Sequence, residues 1–362
     1  MKIGILSMQR VPNYGSFLQA YGLKRILESL GHEVCFIDYR SGRPIVPYSK
    51  RARVGYCLLE IPVVRCLNDW IKYYVLGKKF FDYKYRLDYL KMLGIGYRKE
   101  YNTAVDIAVV GSDEVFNCLQ SGLNVGFSKM LFGQGIKAKK VISYAASFGY
   151  SDIAGLENYG VASIVAEYLK TFSAISVRDN NSNEIVERLS GRKPEMNLDP
   201  VLVSEFDLPE VELPYKNYIV LYTYKSREYS ENEKKTILEF CESHHKELIS
   251  IGSAQDWVKN KVEADPLMLL AYIKKADFII TDTFHGTVFS IKYNKPFATL
   301  VRDNNKQKLG DLLQRLNMSE RRISSFSELG SLYEDPIDYS KTNAIIEYEK
   351  QHARLYLCAN LQ

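Results

Sequence analysis

The 362-residue sequence contains no C-x-x-C pair and no histidine at metal-ligand spacing from its six scattered cysteines, Cys35, Cys57, Cys66, Cys118, Cys241 and Cys358. That excludes the common zinc-site patterns, and in a chain of this size it reads as buried or free thiols in a reducing compartment. Long apolar runs are absent too. None approaches the roughly 18 residues of a spanning helix, and residues 54–76 are broken by Glu60, Arg65, Asp69 and Lys72. The opening Met1-Lys2-Ile3-Gly4-Ile5-Leu6 runs straight into a strand-like segment, so no signal peptide is expected. There is no Walker A loop, no G-x-G-x-x-G, and no zinc-finger, RRM-like or helix-turn-helix signature. Internal repeats and low-complexity tracts are lacking as well. A soluble, cytoplasmic protein that binds no nucleic acid is the expectation.

What is present is ordinary in bulk and uneven in detail. Hydrophobic residues make up 46% and charged residues 25%, which argues against a disordered or fibrous chain. At about 150 residues per domain, the length suggests two domains or one large one. Tyrosine is abundant, at 27 against 2 Trp. Such a composition suits polar, carbohydrate-friendly clefts, and genomic bias accounts for it equally well. The first 150 residues carry 22 Lys+Arg against 11 Asp+Glu, and the remainder 26 against 32. Much of the excess lies in the basic, aromatic segment 40–99. This segment is either a solvated helical face or a peripheral contact with an anionic membrane surface.

Strand-like and helical runs alternate along the chain. Residues 2–7, 34–39, 106–111, 140–145, 174–177 and 195–198 read as buried strands, with a helix after the first that Gly31 should stop. A second series follows at 218–222, 248–252, 278–281 and 296–301. Within it, Ser230 with Glu233 forms a capping box, and Asp265-Pro266 opens a helix. Such alternation implies parallel sheets covered by helices. Residues 205–217, with Pro209 and Pro214 among acidic residues, are the most linker-like. The predicted division is an N-terminal domain over 1–208 and a C-terminal one over 215–343, with the helical run 344–362 a candidate to pack back on the first.

Ligands of parallel α/β sheets bind beyond the carboxyl ends of the strands, which directs attention to the residues that follow each one. After the first come Asn13-Tyr14-Gly15-Ser16, where a helix start presents N–H groups suited to an anion or merely capped. Gly111-Ser112-Asp113-Glu114 places paired carboxylates at a strand end, for acid–base work or for capping. Asn117 follows three residues later. Ala146-Ser147-Phe148-Gly149 is a small-residue turn. Ser176-Val177-Arg178-Asp179 sets an arginine where it must meet a carboxylate or an anion, and Asn197-Leu198-Asp199-Pro200 adds another acid. The densest cluster is Asp282-Thr283-Phe284-His285-Gly286-Thr287, with an acid, two hydroxyls and an imidazole at one strand-to-helix junction. His244 and His245 read as solvent-exposed.

In their order and spacing over roughly the first 300 residues, these motifs resemble those of the polysaccharide pyruvyl transferase family. The resemblance implies two Rossmann-like domains in a GT-B-like arrangement, with the active-site cleft between them. It also implies transfer of the pyruvyl group of phosphoenolpyruvate to a sugar hydroxyl pair as a ketal, with release of phosphate and with no cofactor or metal. The acceptor would be a lipid-linked or nucleotide-linked saccharide of a surface polysaccharide. Carried over, Arg178 would bind the donor, and Gly15, Ser16, Ser147, Gly286 and Thr287 would line its site. His285 would bind phosphate or act as general acid. Asp113 is the candidate base, with Asp282 behind it, and Asn13, Tyr14, Glu114 and Asn117 would face the acceptor.

Two departures stand out. Thr283 occupies the place of an arginine two residues before the motif histidine, so that Arg302 or Lys292 would have to replace it. Glu114 and Phe116 stand for the usual Gln and Trp. The rival readings are a GT-B glycosyltransferase using a nucleotide sugar and a non-catalytic binding protein. The first lacks a convincing base-recognition pocket after Phe289. If segment 40–99 holds the protein at the membrane, charge reversal there should abolish sedimentation with anionic liposomes, and unchanged binding would remove that reading.

Overall fold

The computed structural model describes residues 1–47, 88–96, 98–120, 125–224, 226–252, 255–302 and 305–362, with Val63, Val64 and Leu67 in between. Most of the basic segment 40–99, the apolar region 54–76, Cys57 and Cys66 lie outside the described residues, and the membrane reading falls there with them. The chain divides into two compact units, Met1–Pro200 with His352–Gln362, and Val201–Gln351. The boundary lies a few residues before the linker-like stretch 205–217.

The first unit is built on β1 (Lys2–Leu6), β2 (Glu33–Phe36), β3 (Val105–Asp113), β4 (Ala138–Ala146), β5 (Ser176–Val177) and β6 (Glu195–Met196). They form one sheet in the order β2-β1-β3-β4-β5-β6, every pair parallel. Central β1 and β3 bury Ile3, Ile5, Ile107, Ala108, Val109 and Val110. Such an unbroken apolar run marks a strand covered on both faces. α1 (Tyr14–Ser29) starts on Asn13, whose side-chain oxygen accepts the N–H groups of Gly15 and Ser16. Gly31 takes the left-handed conformation (φ 84°) just past its end, as the sequence predicts. α2 (Ala162–Lys170) and α3 (Asn180–Ser190) follow, the latter capped by Asp179.

Phe116 decides how the β3 and β4 ends are held. Its ring stacks on Phe132 at 5.0 Å and meets Phe148 at 5.3 Å and Phe172 at 5.6 Å. All four side chains are at most 1% exposed. Phe116, at the place where the resemblance leads one to expect Trp, is therefore a residue of the core. Gly111 is required where it stands. It adopts φ 137°, and a Cβ there would run into the Tyr144 carbonyl of the neighbouring strand.

The second unit holds β7 (Tyr218–Tyr222), β8 (Glu247–Ile251), β9 (Asn260–Val262), β10 (Phe278–Thr281), β11 (Phe297–Leu300) and β12 (Arg322–Ile323). Its sheet is again parallel, in the order β12-β11-β10-β7-β8-β9. Sequence reasoning misses β9 and β12. Both are short edge strands, Asn-Lys-Val and Arg-Ile, with no apolar run to reveal them. The longer helices are α4 (Glu231–Ser243), α5 (Pro266–Lys275), α6 (Phe284–Lys292), α7 (Lys306–Arg315) and α8 (Ser340–Asn360). The Ser230–Glu233 capping box and the Asp265-Pro266 start form as expected. His244 departs from expectation. It is half-buried, with its ring 4.6 Å from that of Phe240 and 4.5 Å from that of Tyr333. The last turns of α8 belong to the first unit, where the Tyr356 hydroxyl donates to the Ser143 carbonyl of β4 at 2.8 Å and Leu357 is fully buried. Both sheets with their alternating helices are Rossmann-like.

Arg321, completely buried, fastens the edge of the second sheet. It donates to the carbonyls of Phe297, Leu332 and Asp335 and to the Asp335 carboxylate. Replacing it strands three carbonyls, so Arg321→Leu should lose about 3–5 kcal/mol in urea denaturation. Asp335→Ala leaves the buried guanidinium without its carboxylate and should be destabilising too.

Candidate active site

In the first unit a charged network joins the carboxyl ends of the strands. Arg178, after β5, reaches the Asp199 carboxylate beyond β6 at 2.7 Å and the Asp113 carboxylate at the end of β3 at 3.3 Å. Its side chain is 3% exposed. Burial works against the guanidinium charge, but the Asp113, Asp199 and Asp179 carboxylates outweigh it and hold its pKa above the ordinary value. Ser16 donates its hydroxyl to the second Asp113 oxygen at 2.7 Å, which ties the start of α1 to the end of β3. Ser147, after β4, donates to Asp179 at 2.6 Å, and its N–H donates to the Asp113 carbonyl. Asp179 and Asp199 join Asp113 as the carboxylates that orient this edge.

The other expected residues of this unit are engaged locally. The N–H groups of Gly15 and Ser16 turn to the Asn13 side chain at 2.7 and 3.4 Å, so the helix start is capped by its own chain. The Ser147 hydroxyl also accepts the Gly149 N–H, and the residue is fully buried. No helix follows Asp113 directly. Glu114 instead begins a turn in which its carboxylate accepts from the Asn117 side-chain amide at 2.8 Å. Asn117 in turn accepts from Ser151. Tyr14 is buried, its ring 6.4 Å from that of Tyr89. Asn13 and Glu114 are half-buried.

The second unit reverses the charges. Asp282, the first residue past β10 and 1% exposed, receives the Thr223 hydroxyl at 2.7 Å on one oxygen. Its other oxygen faces the Arg227 Nε at 2.5 Å and the Arg302 Nε at 3.6 Å. Burial, against Thr223 and the two arginines, pushes its carboxyl above the ordinary carboxylate value. Arg302 also pairs with Glu233 at 2.9 Å and lies 5.8 Å over the Tyr229 ring. His285 stands in the first turn of α6, 6% exposed, its ring perpendicular to Phe284 at 5.3 Å.

Thr283 caps α6 by accepting the Gly286 N–H at 2.9 Å. A Cβ on Gly286 would run into the Thr281 hydroxyl. Thr287 is fully buried and spends its hydroxyl on the Thr283 carbonyl and on Thr299. Ser147, Gly286 and Thr287, which the sequence motif suggests as donor ligands, thus have these partners within the fold. Of the two replacement cations, Arg302 is at the cluster and Lys292 is not. Lys292 sits at the far end of α6, about 10 Å along the axis from His285, bonded to the Leu202 and Ser204 carbonyls. Arg227 escaped sequence reasoning. Its signal is its position five residues past β7, the strand beside β10.

The family profile of polysaccharide pyruvyl transferases matches residues 13–304, and so spans both clusters. The chain belongs to that family. No curated protein matches it. Among solved structures this pyruvyl transferase family member is similar to the UDP-GlcNAc 2-epimerase from Methanocaldococcus jannaschii, at 11% identity and a TM-score of 0.49 over 98% of this chain and 99% of that one. It is also similar to a spinosyn rhamnosyltransferase complexed with spinosyn aglycone, at 11% identity and a TM-score of 0.47 over all of both chains. A third similar structure, the UDP-GlcNAc 2-epimerase from Neisseria meningitidis bound to UDP-GlcNAc, is 14% identical with a TM-score of 0.47, over 96% of this chain and 99% of that one. Among the described residues no helix is long and apolar enough to cross a membrane.

The environment of Asp282 has a measurable consequence. A carboxyl whose folded pKa is raised adds stability below its unfolded value, near 3.8, and loses it as pH rises through the folded value. Urea midpoints of the native protein should therefore fall relative to those of Asp282→Asn as pH rises from 3.8. A difference that stays constant with pH would contradict this assignment.

Proposed function

We propose that the protein transfers the pyruvyl group of phosphoenolpyruvate to two hydroxyls of one sugar, forming a ketal and releasing phosphate, on a saccharide precursor of a surface polysaccharide. The observation that carries the reading is the family match across the strand-end residues, with Asp113 held in one orientation by Arg178 and Ser16. The work is cytoplasmic in this reading, and the basic segment 40–99 is its candidate membrane contact.

In the proposed reaction a proton adds to the methylene carbon of the donor, and its neighbour becomes oxocarbenium-like. A sugar hydroxyl bonds to that centre and gives up its proton. The carbon–oxygen bond to phosphate then breaks, a second hydroxyl takes the vacated place, and its proton leaves with the phosphate. Accepting a hydroxyl proton calls for an ionised carboxylate. The Arg178 guanidinium at 3.3 Å favours the charged form of Asp113, and Ser16 holds the carboxylate in one orientation. Arg178 is engaged by the Asp199 and Asp113 carboxylates, so we assign it to positioning Asp113 in place of the donor-binding role that the resemblance implies. His285 is the proposed acid or phosphate ligand. As written, the reaction calls for no cofactor besides the donor.

Thermal unfolding with added ligands tests the reading without knowledge of the acceptor. Phosphoenolpyruvate at about 100 times its dissociation constant should add roughly 2.7 kcal/mol of stability, with a smaller gain for His285→Ala. UDP should add nothing, and a UDP-sugar should stabilise only if it is the nucleotide-linked acceptor. A response to UDP alone would replace pyruvyl transfer by glycosyl transfer.

A further inference from the structure

We propose that Arg227 and Arg302 form the subsite for the phosphate of the donor, supplying the cationic charge that Thr283 does not. The identity of the anion rests on the pyruvyl-transfer reading above, and its place rests on the geometry of the second unit alone.

β7, β10 and β11 are neighbours in the sheet, with β10 in the middle. The residues beyond their carboxyl ends converge: Arg227 after β7, Asp282 after β10 and Arg302 after β11. Both arginines turn their Nε to the same Asp282 oxygen. One carboxylate oxygen cannot engage two guanidinium forks, each of which matches a phosphate or carboxylate edge through paired N–H groups. Arg302 has Glu233 as a second anion. Among the described residues Arg227 has no ion-pair partner besides Asp282.

Exposure orders the cluster in depth. The side chains of Arg227 and Arg302 are 17% and 28% exposed, and that of Asp282 is 0% exposed. The cations thus form the outer layer and the carboxylate lies behind them, where it stands in for an anion arriving from solvent. His285 follows three residues after Asp282 on the same strand-to-helix turn. Thr283 offers the ligand nothing, since its hydroxyl is spent on the Gly286 N–H and on Thr281. The upward shift of the Asp282 carboxyl agrees with this arrangement, because a carboxyl that gives up its charge readily leaves the two guanidiniums in excess.

Calorimetric titration of the full chain tests the subsite, with phosphoenolpyruvate, inorganic phosphate and pyruvate as probes. The variants are Arg227→Met, Arg302→Met and Arg227→Lys. Loss of one charge-assisted contact should weaken phosphoenolpyruvate and phosphate roughly 10- to 100-fold in each Met variant. Pyruvate has no phosphate and should respond to neither change. Arg227→Lys keeps a cation beside Asp282 and so keeps the fold. It loses the planar fork, and several-fold weaker phosphate binding is expected. Phosphate binding that depends on Arg227, together with no binding of phosphoenolpyruvate, would uphold the subsite and sink the pyruvyl-transfer reading. Phosphoenolpyruvate binding unchanged in all folded variants would overturn the subsite and leave that reading standing. A native protein that binds neither anion overturns the subsite.

Discussion

A guanidinium buried between two carboxylates governs the first unit. Arg178 cannot remain charged in that interior without Asp113 and Asp199, and neither acid is comfortable there without Arg178. Because the three residues follow β5, β3 and β6, the ion triad fixes the relative height of three strand ends. Ser16 and Ser147 extend the network to the start of α1 and the end of β4. Most of the edge where a ligand of a parallel sheet would sit is therefore one hydrogen-bonded assembly, and no member turns without disturbing the next.

The second unit solves the same electrostatic problem with the signs exchanged: a single buried acid between two arginines. The difference matters for chemistry. Two acids around one cation leave an excess of negative charge, suited to drawing protons from hydroxyls. In the second unit both arginines turn to one oxygen of the buried acid, and Arg302 pairs with Glu233 besides, which leaves Arg227 the guanidinium with donors to spare for an anion. The two sheets share a topology of parallel neighbours and differ in what their strand ends attract.

Much of this was legible in the sequence. Buried parallel strands announce themselves as continuous apolar runs, and the caps at Asn13, Ser230 and Asp265 are written in the residues that make them. The motif residues Asp113, Arg178, Asp282 and His285 lie at strand or helix ends as their spacing implied. What could not be read was how polar groups are spent. The order of Gly15, Ser147, Gly286 and Thr287 in the chain does not tell that their N–H groups and hydroxyls turn to Asn13, Asp179, Thr283 and Thr299. Arg227 was invisible for a related reason. It lies in a polar loop far from the histidine motif in sequence, and only the pairing of β7 with β10 brings it to Asp282. β9 and β12 escaped because edge strands need no apolar pattern.

The return of the chain end to the first unit bears on how this protein is made. A ribosome delivers residues 1–200 before the second unit, but the stretch from His352 onward that belongs with them emerges after it. Until then β4 is without the Tyr356 hydroxyl on its Ser143 carbonyl, and the space taken by Leu357 stands empty. The first unit is thus completed only after the intervening unit has had its whole sequence available to fold.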